Sequence, residues 1–162
     1  MKSLVALFIP GITFYIGLAL LWNDSRFPWL HHLSNYPWQF WTITIFGISA
    51  TIGGVIDWIY HRQGLRIVGE KERKYELFAL AGGVPLFILM AIASLIQKPE
   101  ILLIPVILVV LYMTVLICYD EFIFHRRCKP WETAMHRLLV FGNALAWLSW
   151  AHWCFVQGGA YA

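Results

Sequence analysis

Five apolar stretches set the fold class of this chain before any motif is considered. They run over Leu4–Trp22, Trp38–Tyr60, Leu77–Ile96, Ile101–Phe124 and Thr133–Phe155, and at about 20 residues each is long enough to cross a hydrocarbon core about 30 Å thick. Lipid offers no partner to a backbone N–H or C=O, so a spanning segment must pair its own groups as a helix or close into a barrel. These stretches are rich in Leu, Ile, Ala and Phe without strict alternation, the helical rather than the barrel-strand pattern. The expectation is an all-α integral membrane protein with five transmembrane helices in one domain covering residues 1–162. Composition agrees: 60% of the chain is hydrophobic and 13% charged, far from the makeup of a soluble domain.

The net charge of +3 becomes informative once divided by loop. Alternating spans place Lys2, Arg62, Arg66, Lys71, Arg73, Lys74, Arg126, Arg127, Lys129 and Arg137 on one side, and only Arg26 and Lys98 on the other. The positive-inside rule then puts the N-terminus in the cytoplasm and the C-terminus outside, in a bacterial inner or other plasma membrane. The first span reads as a retained helix, because Leu20, Leu21 and Trp22 offer no small-residue cleavage site. Trp22, Trp29, Trp38 and Trp41 outside, with Trp58 and Trp131 inside, suit an aromatic belt at each interface. Cys118, Cys128 and Cys154 lie in three different settings and imply no disulfide framework; Cys128 alone lies near the polar cluster described next.

The chain repeats itself. Asp57, Trp58, Ile59, Tyr60, His61, Arg62 at the end of the second span match Glu121, Phe122, Ile123, Phe124, His125, Arg126 at the end of the fourth in chemical type, position by position. With a few extra residues around Gly64–Gly69, Glu72 aligns with Glu132, Glu76 with His136 and Gly82 with Gly142. The expected architecture is one extra helix followed by two parallel helical hairpins, 38–96 and 101–155, forming a four-helix bundle about an axis along the membrane normal. Residues four apart share a helical face. Asp57 with His61, Glu72 with Glu76, Glu121 with His125, and Glu132 with His136 are therefore candidate metal ligands, two from each of four helices.

Structural explanations cover part of this pattern. Glu72 and Glu132 lie in first turns, where the helix dipole favours negative charge, and His61 and His125 lie at C-terminal ends, where it favours positive charge. Asp57 and Glu121 resist that account, since each sits a turn inside a C-terminal end among apolar residues, where an acid costs up to about 2.5–3.5 kcal/mol without a partner. Arg62 and Arg126 could supply a salt-bridge network; a pair of metal ions is the sharper reading. Carboxylate-rich ligands with a few imidazoles suit iron or manganese, in an inventory similar to that of di-metal bundles but with i+4 rather than i+3 spacing. Glu121 is preferred to Asp120 because Asp120 points away from His125, and Glu70 is left as loop charge. His31, His32 and His152 read as interface histidines, Asn143 as an interhelical hydrogen bond, and Pro85 and Pro105 as kinks. Gly47, Ser49, Thr51, Gly53, Gly54, Gly82 and Gly83 read as close-packing positions.

The function expected from these residues is a membrane-bound di-metal oxidoreductase acting on a lipidic or quinone-like substrate at the cytoplasmic leaflet, its head group held by Arg62, Arg126 or Arg127. The alternative is a non-enzymatic accessory protein with a salt-bridged cytoplasmic cluster and a protein partner. Metal or proton transport is disfavoured because the outer halves of the spans are almost free of ionisable groups. Neither a phosphate-binding loop nor a dinucleotide fingerprint occurs, the histidines are too few for the boxes of membrane desaturases, and no nucleic-acid partner is expected.

Overall fold

A computed structural model describes residues 2–62, 69–123 and 129–161, with the side chains of residues 2, 3, 61, 62, 73, 76 and 161 left undescribed. The described chain is all-helical, with no strand. Five α-helices carry it: α1 (Lys2–Leu20), α2 (Trp38–Arg62), α3 (Glu70–Leu95), α4 (Leu103–Ile123) and α5 (Pro130–Ala151). Short 3₁₀ turns over Pro28–His31, Leu33–Asn35, Pro99–Leu102 and Gly159–Tyr161 fill the connections, and a π-turn over His152–Val156 continues α5.

Four helical segments are long and apolar enough to cross a bilayer: Trp38–Tyr60, Glu70–Leu95, Pro99–Ile123 and Pro130–Val156. The apolar part of α1, Leu4–Leu20, is shorter than these. Helix α3 starts seven residues before Leu77, where the sequence places the start of the span, so Glu72 and Glu76 belong to its first two turns. Pro85 lies inside α3 as expected. Pro105 lies only two residues past the start of α4, where a missing N–H disturbs little of the helix; it marks a helix start and not a mid-span kink.

The principal contacts run between the two sequence hairpins rather than within them: α5 lies along α2, and α4 along α3. Glycine sets the closeness of the first pair. A Cβ at Gly53 would stand 2.8 Å from the Met135 carbonyl oxygen, and one at Gly142 2.8 Å from that of Phe46 and 2.9 Å from Ala50 Cβ. In the second pair the corresponding position, Gly82, faces the Met113 side chain, and Tyr75 stacks on Tyr119 with ring centroids 4.4 Å apart. Toward the N-terminus of α2, Gln39 meets His152, so α2 and α5 are antiparallel; α3 and α4 are likewise. Helix α1 lies antiparallel on α2, with Leu7 against Gly54 and Tyr15 against Thr44.

Not every small residue is a packing position. A Cβ at Gly47 would meet nothing within 4 Å, and one at Gly83 only the ring of Phe87 in its own helix. Ser49 and Thr51 bond the carbonyls of Ile45 and Gly47 four residues back, which satisfies their hydroxyls without a neighbouring helix. Asn143 does the same: its Nδ2 donates to Leu139 O at 2.9 Å, so the expected interhelical bond is an intrahelical one.

At the end of the molecule holding the 21–37 connection, Phe27 and Leu30 are buried and Phe27 stacks on Trp153 of the π-turn. Arg26 Nη1 donates to Leu95 O at 2.8 Å, covering one of the carbonyls that the C-terminus of α3 leaves without an intrahelical donor. Leu86, Ala93, Val106, Trp150 and Cys154 form the buried apolar cluster beside it.

Candidate metal centre

The opposite end gathers the ionisable groups. Gly53 against Met135 brings the end of α2 to the start of α5, Tyr75 on Tyr119 brings the start of α3 to the end of α4, and Arg137 Nε donates to Glu121 Oε1 at 3.0 Å, joining α5 to α4. Among the described side chains, each of these four helices buries one carboxylate there: Asp57 on α2, Glu72 on α3, Asp120 on α4 and Glu132 on α5, between 4% and 9% exposed. Long ionisable side chains are seldom buried without partners, and all four of these acids engage neighbouring groups.

His136 is the imidazole of this end whose position is described. Its Nε2 lies 3.7 Å from Asp120 Oδ2 and 3.8 Å from Glu121 Oε2, with its side chain 12% exposed. These separations are contacts between charged or polarisable groups and are longer than hydrogen bonds. Among the described residues, no group of three or more His, Cys, Asp or Glu side chains is arranged to hold a metal ion.

The expected ligands therefore divide into two sets. Asp57, Glu72, Glu121, Glu132 and His136 are described, and all lie at the same end of the molecule, Asp57 and Glu121 near the C-termini of α2 and α4 and the others near the N-termini of α3 and α5. His61 and Arg62 fall in the last turn of α2 and Glu76 in α3, their side chains outside the described residues. His125, Arg126, Arg127 and Cys128 lie wholly outside them. His31, His32 and His152 belong to the opposite end: His152 Nδ1 faces Gln39 Nε2 at 2.9 Å, and Trp22 packs edge-on against His31.

Asp120 is the residue that pairing by i+4 overlooked. Its signal is a different spacing. Val106, which is fully buried, Met113, which packs against the core, and Asp120 follow one another at intervals of seven, the separation that returns a helix to nearly the same face. Glu72, Leu86 and Ala93 show the same register on α3, and Ala50 and Asp57 on α2.

The donor set fits a hard divalent ion in composition, with oxygen in excess over imidazole nitrogen. The chain matches no protein-family model, no curated protein and no solved structure.

Proposed function

We propose that this chain is a plasma-membrane protein in which α1 is followed by two parallel hairpin repeats, 38–96 and 101–155, whose four helices form a bundle around a carboxylate and histidine centre for two metal ions. Iron or manganese is the metal of choice for such donors. The observation that carries the reading is the burial of one carboxylate on each of α2, α3, α4 and α5 at one end of the molecule, with His136 among them. Exchanging the two repeats also carries the contact of α2 with α5 onto that of α4 with α3, as a two-fold axis requires. The excess of Lys and Arg in the flanking segments assigns this end to the cytoplasm.

A carboxylate-rich di-metal centre in a helical bundle supplies oxygen or peroxide chemistry when loaded. At the margin of the hydrocarbon, the substrate in reach is a lipid, a quinone or another apolar molecule entering from the leaflet, so the reaction class is oxidation of a lipidic substrate. Arg62, Arg126 and Arg127, which follow His61 and His125 in sequence, are the cations we assign to its head group. The test is metal content by mass spectrometry on detergent-purified protein, comparing the parent with Glu132→Gln and His136→Ala. About two equivalents of iron or manganese in the parent, lost from both monodisperse variants, is the expected result.

One observation favours a second reading. Glu121 is held by Arg137 at 3.0 Å, which is the kind of link a salt-bridged accessory protein would use. A parent without stoichiometric metal, even after reconstitution under reducing conditions, would select that reading.

A further inference from the structure

Helices α1 and α2 do not meet in the same way along their length. Leu7 fills the notch at Gly54 so closely that a Cβ there would stand 2.8 Å from Leu7 Cδ2. Toward the 21–37 connection the contacts pass to aromatic rings, Phe14 lying against Phe40 with centroids 6.0 Å apart. Bulky, rigid rings keep helix backbones apart, and a groove of about 450 Å³ lies here, lined by Tyr15 and Ala19 on α1, Trp41 and Thr44 on α2, and Trp22 and Leu33 in the connection. We propose that this groove holds an acyl chain of a bilayer phospholipid.

The lining chemistry selects hydrocarbon. Tyr15 Oη bonds Thr44 Oγ1 at 3.2 Å and Tyr36 Oη donates to Leu30 O at 3.1 Å, so these hydroxyls are engaged within the protein, and aromatic and aliphatic carbon makes up most of what is left. Such a surface gains from an apolar chain by dispersion, and leaving the groove empty would forfeit those contacts.

The surroundings supply that chain. The groove is continuous with the apolar surface of the two helices: next to Trp22 and Thr44 stand Leu20 and Ile45, 80% and 59% exposed. In the membrane placement proposed above this surface meets lipid, so an acyl chain already stands at the mouth of the groove. A flexible chain also fits better than a helix from a partner. Leu30, which is 2% exposed, and Tyr36 bring the connection into the lining, and a rod about 10 Å across would collide with it.

The proposal rests on the membrane placement and not on the metal centre, so a parent that binds no metal leaves it standing, whereas one recovered without membranes overturns it. The experiment is native mass spectrometry of full-length protein extracted in mild detergent, comparing the parent with Ala19→Phe, which fills the groove, and Ile48→Phe, which enlarges an exposed side chain of α2 that does not line it. The parent and Ile48→Phe should each retain a single phospholipid through detergent exchange, and Ala19→Phe should lose it. A parent with no retained lipid, a retained mass that is not a phospholipid, or a folded Ala19→Phe that keeps its lipid overturns the proposal. Should Ala19→Phe fail to fold, a phospholipid carrying a photoreactive group on its acyl chain decides in the reconstituted parent. Adducts concentrated in 15–22 and 30–44 support the groove; adducts spread evenly over the exposed faces of α3 and α4 overturn it.

Discussion

The two ends of this molecule solve the same problem with different chemistry. Polar groups at the tips of apolar helices must be satisfied where water is scarce. The end holding the 21–37 connection, which is the outer one under the orientation proposed above, does so with neutral groups at short range: Gln39, which is 1% exposed, reaches His152 at 2.9 Å and Gln157 at 2.6 Å, and Trp150 Nε1 donates to Ser94 Oγ at 3.0 Å. A charged pair, Asp24 with Arg26 at 2.6 Å, sits in the connecting segment. The inner end instead buries an acid on each of α2 to α5. Concentrating buried ionisable groups at one end of a fold is the arrangement found where binding or chemistry takes place.

Metal-dependent stability is the largest difference expected between the ends. Anything that binds the native state alone stabilises it by about 2.7 kcal/mol at a hundred-fold excess over Kd, so Mn²⁺ or Fe²⁺ should raise the unfolding temperature of the parent by several degrees. The increment should vanish in Glu132→Gln and His136→Ala and persist in Gln39→Leu. Equal increments in all three variants, measured by tryptophan fluorescence in detergent, would erase the distinction between the ends.

Next in size are losses confined to the outer end. Gln39→Leu removes the donor facing Nδ1 of the half-buried His152 and Oε1 of the exposed Gln157, a loss of about 1 kcal/mol or a little more, since water can reach part of what is left unmatched. Trp150→Phe keeps most of the buried ring but deletes the bond to Ser94, a loss of about 1 kcal/mol. Neither change should alter metal content, because both residues lie a full helix length from Asp57 and Glu132.

How much of this was legible in the sequence differs between the ends as well. The helices were legible because apolar length is a local property, and the second span matches Trp38–Tyr60 as read. The gathering of buried acids at one end was legible in part from the repeated acids, whereas the side chains of His61 and His125 lie outside the described residues. The choice between Asp120 and Glu121 was not settled by side-chain spacing within one helix, since both stand within reach of His136 on another. Packing decides which of two adjacent acids turns inward, and the seven-residue line from Val106 through Met113 was the available clue. Gln39 was missed because its partners lie 113 and 118 residues away, a separation that no local pattern encodes. Asn143 and Gly47 were over-read for the converse reason: small or polar type within a span does not reveal which face it occupies.

The smallest effect concerns the exposed pair at the outer end, and its sign follows from proton linkage. Side-chain hydrogen bonds from Arg26, followed by the bond from its backbone N–H, hold the Asp24 carboxyl down from its ordinary 3.8 to about 2. A carboxyl with a lowered folded-state pKa binds fewer protons when folded than when unfolded, so its contribution is fully present above about 3.8 and is lost as pH falls through about 2. The pair is exposed enough for solvent and salt to screen it strongly. The parent and Asp24→Asn should therefore differ by a small, constant amount in unfolding temperature above pH 5, and the difference should close between about pH 4 and pH 2. A difference that persists unchanged below pH 2 would mean that Asp24 supports the connection through shape, with Arg26 held by Leu95 O alone; the outer end would then owe nothing to charge, and the contrast with the inner end would be complete.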